Sequence, residues 1–285
     1  MDSFVRIDAH QHYWRIDRRD YGWLTPALGA IYRDFLPEHL APILKRYGIA
    51  RTIAVQAAPT VAETEFLLGL ARETTSIAGV VGWVDFAASD APATIARLAR
   101  EHALVGVRPM VQDIADDDWL LRPGLAPTFG AVIEHGLVFD ALVLPRHLVR
   151  LARLVARYPQ LTVVIDHGAK PPIREGARGL DPWRSDIAGL AASPRVHCKL
   201  SGLVTEAAGG WQIEDLKPWV DHLVSVFGTQ KLIWGSDWPV VERGGGYDRW
   251  HAASLSLLEG LDARGREAVL GRNAAQVYLQ RGVRT

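Results

Sequence analysis

Val5-Arg6-Ile7-Asp8-Ala9-His10-Gln11-His12 reads as a short strand that ends in two imidazoles one residue apart. On extended backbone, side-chain direction repeats every two residues, so His10 and His12 project to the same side. Such a pincer can grip a divalent metal, or polarise a carbonyl without one. An H-x-H alone is a common accident of sequence. What decides its meaning is whether this strand opens a larger repeating pattern.

It does. Short runs rich in Val and Ile, bounded by Gly, Pro or Asp, recur over residues 5–12, 51–57, 78–85, 104–110, 137–143, 161–167, 196–202 and 231–237. Between and after them, helical periodicity covers 37–47, 61–74, 91–102, 124–135, 145–158, 184–192, 214–227 and 248–260. Proline opens two of these helices, at Pro37 and Pro145, where its fixed φ and missing N–H cost nothing. Eight strand–helix pairs without a composition break predict an α/β fold of one domain over residues 1–285. The expected architecture is a (β/α)8 TIM barrel with an extra C-terminal helix over 263–280. Helix-to-strand links are short, as at Gly48-Ile49-Ala50. Strand-to-helix links are long, as over 13–36, 112–123, 168–183, 203–213 and 238–247. Long loops on one face build a barrel's mouth, and His10 and His12 point there.

The bulk numbers narrow the partner. Lys plus Arg and Asp plus Glu are both 32, so no long-range field gathers nucleic acid or anionic membrane. The one cysteine, Cys198, excludes an intrachain disulfide and a Cys-rich zinc module, and suits a reducing cytosol. No basic-then-apolar leader or membrane-length apolar run is present. A cytoplasmic protein, monomer or homo-oligomer, acting on a small and weakly charged molecule is expected, with neither nucleic acid nor membrane as partner.

Outward strand positions must meet helices and should be apolar, so alternation indicates which residues face the lumen. With Val5, Ile7, Ala9, Ile53, Val55 and Ala57 outward, Asp8, His10, His12 and Gln56 face in. Val105 and Val107 outward leave Arg108 inside; Leu137, Phe139 and Ala141 leave Asp140. Val196, Cys198 and Leu200 leave His197, Lys199 and Ser201, and Leu232 and Trp234 leave Asp237. The third strand reads either way, and Asp85 is assigned to the lumen. The sixth is apolar on both faces and does not orient His167. Single members of this ring have a bland reading as satisfied pairs, Asp140 with Arg108 or Asp85 with Lys199. A full ring of buried polar groups at one barrel end is better explained by a site, since each group left unpaired costs roughly 1–3 kcal/mol.

Four segments together, His10-Gln11-His12, Asp166-His167-Gly168-Ala169-Lys170-Pro171, Lys199-Leu200-Ser201-Gly202 and Gly235-Ser236-Asp237-Trp238-Pro239, resemble the amidohydrolase superfamily over essentially the whole chain. The likeness is greatest to its amidohydrolase-related subgroup of sugar-lactone and muconolactone-type lactonases. The resemblance implies that His10, His12, His167 and Asp237 surround the reacting centre, and that the substrate is an aldonolactone such as L-fuconolactone. One departure matters. The bridging carboxylated lysine or glutamate of binuclear relatives has no counterpart, since strands four and five offer Arg108 and Asp140. That leaves one divalent metal at most, zinc by preference, on His10, His12, His167 and Asp237, with metal-free catalysis also open.

Lactone hydrolysis needs a polarised carbonyl, a deprotonated water and a proton for the leaving ring oxygen. Asp237 suits general base and then acid. A metal, or His10 and His12 with Arg108, would stabilise the oxyanion, and His167 would ligate or hydrogen-bond. Gln56, Asp85, Asp140, Lys199 and Ser201 are candidates to bind sugar hydroxyls. Trp83 and Trp238 could supply an apolar platform and Tyr32 a lid, although packing is the commoner use of such rings. Two rival readings share the constellation: a nonoxidative decarboxylase of an unsaturated or aromatic acid, and a noncatalytic sugar-acid binder.

Overall fold

The computed structural model describes residues 4–280. Its strands β1 (Arg6–Gln11), β2 (Ile49–Val55), β3 (Ile77–Gly82), β4 (Leu104–Val107), β5 (Val138–Ala141), β6 (Val163–Ile165), β7 (Val196–Leu200) and β8 (Leu232–Trp234) follow one another in the sheet in chain order. Every neighbouring pair is parallel. The ring closes at the mouth. His12 N donates to Trp238 O and Asp237 N donates to His10 O, both at 2.7 Å. The helices are α1 (Pro37–Tyr47), α2 (Val61–Glu73), α3 (Ala91–Leu98), α4 (Ala126–Glu134), α5 (Leu148–Arg157), α6 (Leu180–Ala191), α7 (Leu203–Glu206), α8 (Ile213–Phe227), α9 (Tyr247–Leu257) and α10 (Ala263–Glu267). The eight expected outer helices are all present. The short α7, in the loop after β7, is an addition that four residues of sequence could not signal. Among the described residues no helix is long and apolar enough to cross a membrane.

The expected C-terminal helix is present, but its geometry changes along its length. Only α10 is α-helical. Wider π-type turns follow over Ala268–Arg272 and Ala275–Leu279, broken by an extended Gly271. Gly271 passes so close to Val5 that a Cβ would strike the Val5 carbonyl, and this close approach breaks the helical path. The segment carries Ala274 and Tyr278 into an apolar cluster with Ile7, Ala9, Ile53, Val55, Val105, Val138 and Ile233.

That cluster joins alternate residues of nearly every strand, so it is the lumen's lower layer. It overturns the expectation that Ile7, Ala9, Ile53, Val55 and Val105 point outward. It also overturns the inward assignment of Asp8, whose carboxylate accepts Ser236 N at 2.8 Å and Tyr247 OH, on α9, at 3.1 Å. The cause is a β-bulge. Asp8 pairs with Thr52 but Gln11 with Ala54, so β1 holds one residue more than its neighbour there. Parity resets after Ala9, and His10 and His12 face the mouth all the same. A second shift, from Leu104 opposite Val80 to Gly106 opposite Val81, lets Val105 enter the lumen without displacing Arg108. In β5, β7 and β8 alternation holds: Phe139, Cys198, Leu200, Leu232 and Trp234 pack on the helix side.

Candidate active site

The pincer is held on both strands that flank the closure. Since the backbone of Asp237 hydrogen-bonds His10 and that of His12 hydrogen-bonds Trp238, the carboxylate and the two imidazoles share one ladder. Asp8 tightens it from behind by accepting both Ser236 N and, at 3.3 Å, His10 N. Asp237 itself has φ +61. The end of β6 is stranger still, with His167, Gly168, Ala169 and Lys170 at φ between +51 and +63. Left-handed backbone costs a non-glycine residue roughly 1–3 kcal/mol and persists where the surroundings enforce it. Here the turn directs His167 across the mouth toward Asp237.

Three imidazoles converge on one oxygen. Asp237 Oδ1 lies 3.2 Å from His12 Nε2, 3.7 Å from His10 Nε2 and 3.9 Å from His167 Nε2. His12 Nδ1 is 2.8 Å from the Val55 carbonyl, which can only accept, so that nitrogen carries the proton. In the neutral ring the Nε2 lone pair then faces a carboxylate oxygen. Two acceptors at 3.2 Å call for a positive charge between them, a proton or a divalent ion. His167 Nδ1 is 2.9 Å from Ser201 Oγ. Burial, with Lys199 adding to it, holds His10 well below the ordinary imidazole range. Burial brings His167 down to about 4, partly offset by Asp237. Burial alone would raise Asp237, but His167, His12 and His10 keep it well below the usual carboxylate range. With His10 and His167 neutral, imidazoles around an ionised carboxylate make a suitable donor set for one metal with an open position.

Two triplets are close enough to share an ion: His10, His12 and Asp237, and His10, Asp166 and His167. The second fits poorly. Asp166 Oδ2 is 3.1 Å from Arg108 Nη1, and its Oδ1 is 3.1 Å from Lys199 Nζ, so a cation there would join two already present. Burial would raise Asp166, yet Lys199, His10 and Arg108 hold it well below the carboxylate range.

Other expected residues fall into three places. Arg108 and Gln56 are buried side by side, with Arg108 Nη2 donating to Gln56 Oε1 at 2.9 Å, and Arg108 Nη1 is 3.4 Å from His10 Nε2. Asp140 and Lys199 do meet, but fully buried and paired with each other beneath the histidines, so they are not open to sugar hydroxyls. The pairing of Asp140 with Arg108, and of Asp85 with Lys199, is thereby corrected. Asp85 is exposed and caps a turn through Ala87 N at 3.0 Å, because β3 ends at Gly82 and the chain has left the lumen before it. Trp238 is 3% exposed, packed edge-on against Phe35 and Tyr13, and offers no open platform. Trp83 is half-buried beside Thr64, and Tyr32 lines a pocket of the first loop with Tyr21 and Asp34. His197 lies at the start of β7, the end away from the mouth, near Lys231. Sequence reasoning passed over Asp166 as a site residue. Its signals were an acid ending an apolar run and its place beside His167 in the segment that carries the family resemblance.

Comparison with known proteins agrees with this fold. A family model described as amidohydrolase matches residues 7–279. An L-fucono-1,5-lactonase of Burkholderia ambifaria is 48% identical over 279 residues, 96% of this chain and 95% of that protein. One of Burkholderia multivorans is 38% identical over 294 residues, covering 96% of each. A crystal structure of a Burkholderia multivorans amidohydrolase with bound zinc superposes with a TM-score of 0.92 at 36% identity, over 96% of this chain and 99% of that one.

Proposed function

The chain belongs to the amidohydrolase family, and from that premise we propose that it hydrolyses a sugar lactone of the L-fucono-1,5-lactone class to the free sugar acid. It is a lactone-hydrolysing enzyme, and the observation that carries the reading is the convergence of three imidazoles on Asp237 in a chain so similar to such lactonases.

The reaction divides among the chain's own groups. The lactone carbonyl lies against His10 and His12, with Arg108 close to His10. Asp237, ionised and facing the mouth, takes a proton from water as the water oxygen bonds to the carbonyl carbon. The C–O bond to the ring oxygen then breaks, and Asp237 returns the proton to the departing alkoxide, leaving a hydroxy acid. His167, tied to Ser201, orients the water or the carbonyl from the third side. One divalent ion, zinc being the best match to the donor set, would be held by His10, His12, His167 and Asp237, and supplies Lewis acidity toward the carbonyl when bound.

The test is a pH-indicator screen of aldonolactones on protein of known metal content, with and without chelator. Acid release is expected to be fastest from L-fucono-1,5-lactone and its stereochemical neighbours. No acid from any lactone, with CO2 evolved from an aromatic acid, would replace this reading with a decarboxylase.

A further inference from the structure

Beneath the histidines lies a chain of buried polar groups that the hydrolysis does not use. Tyr278 OH, from the C-terminal segment, donates to Asp140 Oδ1 at 2.8 Å. Asp140 Oδ2 pairs with Lys199 Nζ at 2.5 Å, and Lys199 Nζ lies 3.1 Å from Asp166 Oδ1. Asp166 Oδ1 in turn sits 3.3 Å from His10 Nδ1, a close polar contact short of an aligned hydrogen bond. All five side chains are sealed from solvent. The Lys199 ammonium also lies 5.3 Å from the centre of the Tyr278 ring.

We propose that Lys199, Asp140 and Tyr278 are positioning residues, which through Asp166 fix the ring of His10 and so join the C-terminal segment, at the opposite end of the barrel, to the catalytic geometry.

Stability is a poor explanation for this network. The lumen layer that contains Ile7, Ile53, Val105, Val138 and Ile233 is filled with apolar side chains. Replacing a buried ion pair by apolar groups is often neutral or stabilising, so the charges gain little for the fold. What they do supply is orientation. Asp166 is gripped by Lys199 from β7 on one oxygen and by Arg108, just beyond β4, on the other, which leaves it no free rotation. That fixed carboxylate faces Nδ1 of His10 and leaves Nε2 turned to Asp237. Without Lys199 the buried Asp166 would keep one cation, swing toward Arg108 and release His10. Tyr278 acts one step earlier by satisfying the Asp140 oxygen that Lys199 does not reach.

The catalytic part of this inference rests on the lactonase reading, so the test has a readout independent of turnover. Two variants serve: Tyr278→Phe, which removes only the hydroxyl, and the paired Asp140→Leu/Lys199→Met, which removes both charges at similar shape. On the best lactone, the double variant is expected to lose about 10–100-fold in kcat with KM within about threefold, and Tyr278→Phe a smaller part of that. In 15N-labelled protein the His10 imidazole resonances should shift in both variants, while those of His251 on α9 stay in place. Unmoved His10 resonances, or an unchanged kcat in the folded double variant, would overturn the proposal. If the double variant does not fold, Tyr278→Phe decides by the same measures. If the wild type turns over no lactone, the hydrolase reading fails, and the His10 resonances still judge the network.

Discussion

A methyl group at residue 202 should disable the site by pushing on the ring of His167 alone. Gly202 follows β7 at φ +63, and a Cβ there would lie 2.6 Å from His167 Cγ and 3.0 Å from Cε1. The left-handed backbone costs an alanine ~1–2 kcal/mol, a modest loss for a whole barrel. The larger effect is displacement, since the ring must withdraw by ~1 Å to reach an ordinary carbon–carbon contact of ~3.5 Å. That motion breaks the 2.9 Å contact of Nδ1 with Ser201 and carries Nε2 away from Asp237. Misplacement of this size costs ~100-fold in rate, or ~2.7 kcal/mol of barrier. The assay is kcat/KM for L-fucono-1,5-lactone in Gly202→Ala, with melting temperature and bound metal measured on the same sample. Gly124→Ala, where a Cβ meets nothing within 4 Å, is the control and should match the wild type. A folded Gly202→Ala enzyme within about threefold of wild type would show that the position of His167 does not limit this chemistry.

Asp237→Asn should lower kcat by about 10²–10⁴-fold in a protein that still folds, and undiminished turnover would remove Asp237 as the base. The His167 imidazole should titrate by NMR near pH 4, because burial holds it there, and a midpoint between 6 and 7 would contradict its burial. The sign for stability follows: the unfolded chain binds this proton near pH 6.5 and the folded one only near 4, so the contribution is full above 6.5 and is lost as pH falls toward 4. Asp8 runs the other way. Burial raises it to about 6 despite the donors Ser236, His10 and Tyr247. The folded state therefore holds its proton longer than the unfolded one, and stability of roughly 3 kcal/mol present below pH 4 is lost as pH rises through 6. Asp8→Asn should remove that loss and leave the opposite contribution of His167, so in thermal melts from pH 4 to 7 the stability of the variant should rise more steeply with pH than that of the wild type; an unchanged slope would refute the assignment.

The order of elements was legible because strand and helix periods are local properties. The eight runs and the loop asymmetry place His10, His12, His167 and Asp237 at one end of a barrel before any coordinates are known. Inward Asp140 and Lys199 were legible for the same reason, since β5 and β7 carry unbroken alternation against helices. Asp85 was not, because nothing in the sequence marks where β3 stops and its turn begins. The choice between the two readings of Trp238 was not legible, since an aromatic ring reads alike whether it lines a mouth or packs against Phe35.

The sequence by itself determined the order of the strands and which strand ends carry His10, His12, His167 and Asp237, because chain order and element periods are written residue by residue. Only the tertiary structure decided how they meet. The bulge that sends Asp8 outward and keeps His10 inward is a mismatch between β1 and β2, and no single strand contains it. Likewise Asp166 takes its meaning from Arg108 and Lys199, which reach it from beyond β4 and from β7. Register and charge pairing are relations between strands, fixed when the barrel closes and the lumen excludes water.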